Sequence, residues 1–167
     1  MKTFIGIDNG VSGAIGIVFE PSGEALWYPM PTKRVRDYTK KKQFLRRVDT
    51  NKLTSIVEKI INIDANLGGR EIVVIIERPL DTPKRYKASK SAMRCFEATL
   101  IVLESFSLIP IIIDSREWQK VMLPSIGSGD SKSLSSEIGE KLFPKIKFKA
   151  DADALLIAEW ARRTCRD

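Results

Sequence analysis

The sequence of 167 residues contains no histidine. That absence removes Ser-His and Cys-His nucleophile systems, histidine-ligated zinc or haem, and an imidazole general base. Cysteine occurs only as Cys95 and Cys165, in no CxxC pairing, which argues against a zinc or iron–sulfur centre and for a reducing compartment. No apolar run approaches the roughly 18 residues of a membrane span. Met1-Lys2-Thr3-Phe4 leads straight into a strand-like pattern, which reads as having no signal or transit peptide. The expectation is a soluble, cytoplasmic protein with no membrane partner, acting in a bacterial host cell if a phage encodes it.

Hydrophobic residues make up 43% and charged residues 29%, ordinary globular usage, and the length suits one domain over 1–167. Against 21 Asp+Glu stand 28 Lys+Arg, a formal +7, which points to phosphate-rich partners or an anionic membrane surface. The excess is concentrated. Residues 31–50 carry Lys33, Arg34, Arg36, Lys40, Lys41, Lys42, Arg46 and Arg47 against Asp37 and Asp49. A second basic stretch holds Lys84, Arg85, Lys87, Lys90 and Arg94. A basic run is commonly a solvated face, but two runs flanking a candidate metal site suit clamps on a phosphate backbone. Tyr38, Phe44 and Tyr86 lie among these charges, placed either to stack on bases or simply to pack.

The pattern along the chain predicts an α/β fold. Phe4–Asp8, Ala14–Phe19 and Ala25–Met30 read as three strands at hairpin spacing. Pro31–Thr50 reads as an exposed basic loop or arm. Asn51–Asn66 has helical apolar spacing and ends at Gly68-Gly69. Ile72–Ile76 is a β-branched run closed by Glu77, the mark of a strand covered on both faces. A helix follows over Ser89–Ser107, then a second fully buried strand over Ile109–Asp114 and a short helix over Ser115–Val121. Pro124–Asp130 is a Gly/Ser loop, Ser131–Phe143 a helix, and the last helix runs from near Asp151 to about Arg163. The result is a five-stranded mixed sheet flanked by helices.

With histidine absent, carboxylates carry the candidate chemistry. Asp8 closes the first strand, Glu77 the fourth, and Asp153 opens the last helix. Parallel, adjacent first and fourth strands would bring Asp8 and Glu77 to one sheet edge, where α/β folds bind ligands. Converging acids repel unless a cation neutralises them, and an oxygen-only donor set selects Mg²⁺ or Mn²⁺. Each acid also has a plainer reading. Asp8 before Asn9-Gly10 suits a turn, Glu77 can pair with Arg78, and Asp151 or Asp153 can cap the last helix, Asp151 better than Asp153. Gly127–Ser133 superficially suggests a phosphate loop. Ser131 stands where the Walker pattern needs Gly before the lysine, so no nucleotide cofactor is expected, and Lys132 is kept as a phosphate contact.

Three segments together resemble the RuvC-like Holliday junction resolvases, particularly their phage and organellar branch. They are Phe4-Ile5-Gly6-Ile7-Asp8-Asn9-Gly10-Val11-Ser12-Gly13-Ala14, Val74-Ile75-Ile76-Glu77, and Ala152-Asp153-Ala154-Leu155-Leu156-Ile157-Ala158-Glu159. Their order and separation match, and with the intervening elements the resemblance spans nearly the whole chain. It implies an RNase H-like fold, a homodimer, and paired Mg²⁺-dependent nicking of four-way DNA junctions by two-metal hydrolysis. The family's acids fall on Asp8, Glu77 and Asp153. Its fourth acid falls on Ala150, with Asp151 one residue later, and its usual proline after the first Asp is Asn9. Its active-site lysines correspond to Lys120 and Lys132, and its junction wedge to Leu80. The helix over Ser89–Ser107, with Ala92, Met93, Phe96, Leu100 and Leu103, serves either as the dimer face or as a core helix. Other readings are a nuclease acting on RNA or RNA/DNA hybrid and a non-catalytic binder of branched DNA. An actin-like ATPase would need a second such domain.

Overall fold

A computed structural model describes residues 1–37, 43–80, 86–123, 131–148 and 151–165. Five strands form one mixed sheet: β1 (Lys2–Asp8), β2 (Ala14–Phe19), β3 (Ala25–Pro29), β6 (Glu71–Glu77) and β7 (Ile111–Ile113). Its order is β3-β2-β1-β6-β7. β1 pairs antiparallel with β2 and parallel with β6, and β6 pairs parallel with β7. The helices are α1 (Thr50–Asn66), α2 (Tyr86–Ser105), α3 (Ser115–Met122), α4 (Ser131–Leu142) and α5 (Asp153–Thr164).

The period of two along each strand divides the core into two layers. Ile5, Ile7, Ile15, Ile17, Val74 and Ile76 face α1 and α2, where they meet Leu53, Ile60, Cys95 and Leu103. Phe4, Val18 and Ile75 face the other way, against Trp118 of α3 and Leu155 to Ala158 of α5. By that alternation Asp8 and Glu77 point to the α5 side, like Phe4 and Ile75. The parallel register Ile7↔Ile76 makes them neighbours at the strand ends. Every residue of α5 from Ala154 to Glu159 is buried, so its first turns are enclosed by protein on all sides. It lies so close to the sheet that a Cβ at Gly16 would stand 2.5 Å from Leu155 N, and one at Gly6 2.5 Å from Ala158 N.

Two expectations need correction. The segment 31–50 is not a structureless arm, because Thr32–Arg36 (β4) and Phe44–Val48 (β5) form an antiparallel two-stranded sheet. Its charges hid the strands, since neither face alternates cleanly between apolar and polar. The second correction concerns β7, which is an edge strand rather than a buried one. Ile109 is 88% exposed and Ile111 and Ile112 about half exposed. A short apolar run such as Ile111-Ile112-Ile113 cannot distinguish a central strand from an edge strand with one neighbour.

Candidate active site

Three carboxylates meet beside the ends of β1 and β6. Asp8, Asp151 and Asp153 each offer a ligand oxygen, and these atoms lie within 4.8 Å of one another. Asp8 closes β1, Asp153 is the first residue of α5, and Asp151 precedes it in the connection. The N-terminal end of α5 favours negative charge there. Glu77 stands outside the 4.8 Å set but still acts electrostatically on Asp8.

Burial and crowding hold protons on this cluster. The Asp8 carboxyl is pushed up to about 8, first by burial and then by the charges of Asp153, Glu77 and Asp151. Asp153 rises to about 6, mainly through burial, partly offset by a hydrogen bond from the Ser135 hydroxyl to its Oδ1. Burial also raises Glu77, and a hydrogen bond from Trp118 Nε1 opposes that rise. Lys132 of α4 approaches Asp151, with Nζ 3.2 Å from Oδ2. Its own pKa rises chiefly through that bond. One ammonium against four acids leaves negative charge uncompensated. A hard divalent cation with oxygen preference fits this donor set.

The plainer readings of these acids meet specific geometry. Asp151 does not cap α5, whose N-cap residue is Ala152 with no side-chain cap bond. The helix starts one residue later than an Asp151 cap requires. Glu77 does not pair with Arg78, which turns to Asp114 instead. Asn9 donates from Nδ2 to Ala92 O at 3.2 Å and ties the end of β1 to α2.

Three residues of the site escaped the sequence reading. Trp118 and Ser135 are fully buried polar partners of Glu77 and Asp153. A buried indole N–H needs an acceptor, which was the available signal for Trp118. Ser135 carried none. Gly13 lets the turn fold tightly against Asp8, since a Cβ there would stand 2.1 Å from the Asp8 backbone oxygen and 3.1 Å from its Oδ2.

The expected basic residues divide between two surfaces. Lys33, Arg46, Arg47 and Lys87 line a cleft between the β4–β5 hairpin and α2. Arg34 and Arg36 belong to the same hairpin. Lys120 sits exposed in the last turn of α3, while the lysine whose charge acts on Asp8 and Asp153 is Lys132. Lys40, Lys41, Lys42, Lys84, Arg85 and Tyr38, together with the Gly127–Asp130 part of the rejected phosphate loop, lie outside the described residues. Leu80 is 60% exposed. On α2, Phe96 and Leu103 are buried in the core, whereas Met93 and Ile101 face outward.

No family model and no curated protein matches the chain by sequence. Solved structures do. Thermus thermophilus RuvC in complex with a Holliday junction substrate superposes with a TM-score of 0.59 at 12% identity, covering 98% of this chain and 94% of that one. A second Thermus thermophilus RuvC structure gives 0.57 at 12% identity, covering 98% and 96%.

The chain has the RuvC-like fold.

At this identity the likeness extends to the path of the backbone. In the RuvC-like frame the three segments noted in the sequence fall on β1, β6 and α5, the elements that carry the acids. Among the described residues no helix is long and apolar enough to cross a membrane.

Proposed function

We propose that the protein is a metal-dependent, structure-selective endonuclease that resolves four-way DNA junctions by paired symmetric nicks. The observation that carries this reading is the set of half-buried Asp8 and Asp153 with buried Asp151, their ligand atoms within 4.8 Å at the strand ends of a RuvC-like sheet. The Thermus thermophilus RuvC bound to a Holliday junction substrate supports branched DNA as the substrate class. It also favours junction DNA over RNA or hybrid.

Asp8, Asp151 and Asp153, with Glu77 beside them, would hold the cation. When bound, two Mg²⁺ ions, or Mn²⁺ in their place, would supply the Lewis acidity for phosphodiester hydrolysis that leaves 5′-phosphate and 3′-hydroxyl ends. The protein's part is positioning. Trp118 fixes one oxygen of Glu77 and Ser135 one oxygen of Asp153, so the carboxylates keep their orientation as charge develops. Lys132 has a side chain 73% exposed. That lets its ammonium turn from Asp151 towards the scissile phosphate and stabilise charge there.

The basic charge of the hairpin and of the start of α2 would hold the DNA near the branch point by its phosphates. A two-fold symmetric junction needs two cuts on opposed strands, so the working form would be a homodimer within the cytoplasm. Met93 and Ile101 on the outer face of α2 are suited to that contact.

The test is a synthetic four-way junction with Mg²⁺, cut by wild type and by Glu77→Gln, with linear duplex and single-stranded RNA as controls. Symmetric nicks by the wild type, lost in the variant while junction binding persists, are expected. Binding without cutting, or cutting of RNA alone, would overturn the reading.

A further inference from the structure

The cleft between the β4–β5 hairpin and α2 has a chemistry of its own. It encloses about 600 Å³ and reaches Val11, in the turn three residues after Asp8. Among the described residues its basic lining comprises Lys33, Arg46, Arg47, Lys87, Lys90 and Arg94, against one acid, Asp37. The hairpin register sets Lys33 opposite Arg47 and Arg34 opposite Arg46. Like charges directly opposite one another destabilise an antiparallel pair. Concentrated positive charge of this kind suits a polyanion lying between the two walls.

The size and the rims narrow the choice of polyanion. A cavity of 600 Å³ is in the range of small-molecule sites, roughly 300–1,000 Å³, and suits a few unpaired nucleotides rather than a duplex lying across a surface. One aromatic stands in each wall. Phe44 on the hairpin is 52% exposed and Tyr86 at the start of α2 is 67% exposed. Each ring already carries a cation, with the Arg34 guanidinium 4.5 Å from the Phe44 centroid and Lys90 Nζ 5.8 Å from that of Tyr86. Exposed rings in a basic groove are the elements by which proteins hold single strands irrespective of sequence.

We infer that this cleft binds an unpaired DNA strand leaving the branch point, with Phe44 and Tyr86 stacking on its bases and the surrounding Lys and Arg side chains on its phosphates. The favoured substrates are then junctions and forks that carry a single-stranded segment. The branched substrate rests on the nuclease reading above. The single-strand site does not.

The experiment measures fluorescence anisotropy of a labelled oligodeoxythymidine and of a blunt duplex of equal length, with full-length protein in EDTA. Expected is tighter binding of the single strand, and an affinity for it lowered about tenfold in Phe44→Leu/Tyr86→Leu. Duplex affinity should change by less than about twofold. Tyr86→Phe, which keeps the ring, should bind the single strand as wild type does. Circular dichroism and thermal melting verify that the leucine variant is folded. The idea is overturned if the single strand binds no tighter than duplex, or if the leucine variant keeps its single-strand affinity. Because no cutting occurs in EDTA, a protein that binds the oligonucleotide in this way but never cuts a junction overturns the nuclease reading alone. A junction-cutting protein without the single-strand preference overturns only the cleft.

Discussion

Trp118 Nε1 donates to Glu77 Oε2 at 2.7 Å, linking the fully buried indole of α3 to the acid that closes β6. The bond fixes one carboxylate oxygen and stabilises the ionised form against the burial that raises Glu77. Phenylalanine fills most of the indole's space but offers no donor. In Trp118→Phe the acceptor is left without its partner in a half-buried site, at about 1–3 kcal/mol of stability. Denaturant unfolding measures that loss. Losing an outer partner of a ligand also weakens metal binding, by roughly 10–100-fold where such changes have been made. Calorimetric titration with Mn²⁺ provides the check, and unchanged Mn²⁺ affinity would detach Glu77 from the metal site.

The raised acids dictate how stability depends on pH. Asp8 near 8 and Asp153 near 6 bind protons in the folded state that they release when unfolded, where their value is 3.8. The folded state therefore holds more protons, and unfolding free energy falls as pH rises from about 4 to about 8. Asp114 and Glu137 act oppositely but below that window. The Arg116 backbone N–H holds Asp114 low, and a hydrogen bond from Lys141 holds Glu137 low. In EDTA the protein should melt at a higher temperature at pH 5 than at pH 8. Millimolar Mg²⁺ should raise the melting point at pH 8 and leave it nearly unchanged at pH 5, where protons compete for the same oxygens. A metal-free melting point that climbs between pH 5 and pH 8 would contradict the crowded-acid picture.

The acids were legible because each closes or opens an element whose apolar pattern is plain. Ile5 and Ile7 before Asp8, and Ile72 to Ile76 before Glu77, mark buried strands whose last residue emerges at the sheet edge. Asp151 was ambiguous because capping depends on where a helix begins to within one residue, and α5 begins at Asp153. The hairpin over 32–48 was hidden because its strands are mostly exposed and charged, leaving no apolar alternation to read. The exposed edge at Ile111 and Ile112 depends on β7 having a neighbour on one side only, which is a property of the assembled sheet. Trp118 and Ser135 serve the site through contacts distant in sequence. No local pattern encodes those.

Lys132 offers a separation of chemistry from stability. The lysine side of its pairing with Asp151 is solvent-exposed and the carboxylate side buried, but glutamine can still donate a hydrogen bond there, so Lys132→Gln should cost about 1 kcal/mol. If the ammonium steadies charge on the phosphate, the variant should bind a four-way junction nearly as well as wild type. Its single-turnover cutting rate should fall by about 10²–10³, the usual effect of removing one such donor. Lys120→Gln, on the exposed last turn of α3, should leave that rate within about threefold if Lys132 alone does this work. Equal losses in both variants would mean that the lysines act together in holding DNA.

The approach of α5 to the sheet connects packing directly to the acids. Gly16 faces the helix so closely that a Cβ would stand 2.5 Å from Leu155 N, a backbone atom that no side-chain rotation can move away. Gly16→Ala must therefore shift α5 outward or distort β2. Overpacking of this kind typically costs about 1–3 kcal/mol. The shift would also carry Asp153, two residues before Leu155, away from Asp8 on the adjoining strand. The expected result is a protein that remains folded at low temperature but binds Mn²⁺ more weakly than its stability loss explains. Ala161→Ser serves as a comparison. It introduces a hydroxyl at a fully buried position on the same helix, two turns from the acids, and should lower stability while moving Mn²⁺ affinity less. Equal Mn²⁺ affinity in wild type and Gly16→Ala would show that the sheet, rather than the seating of α5, sets the spacing of the carboxylates.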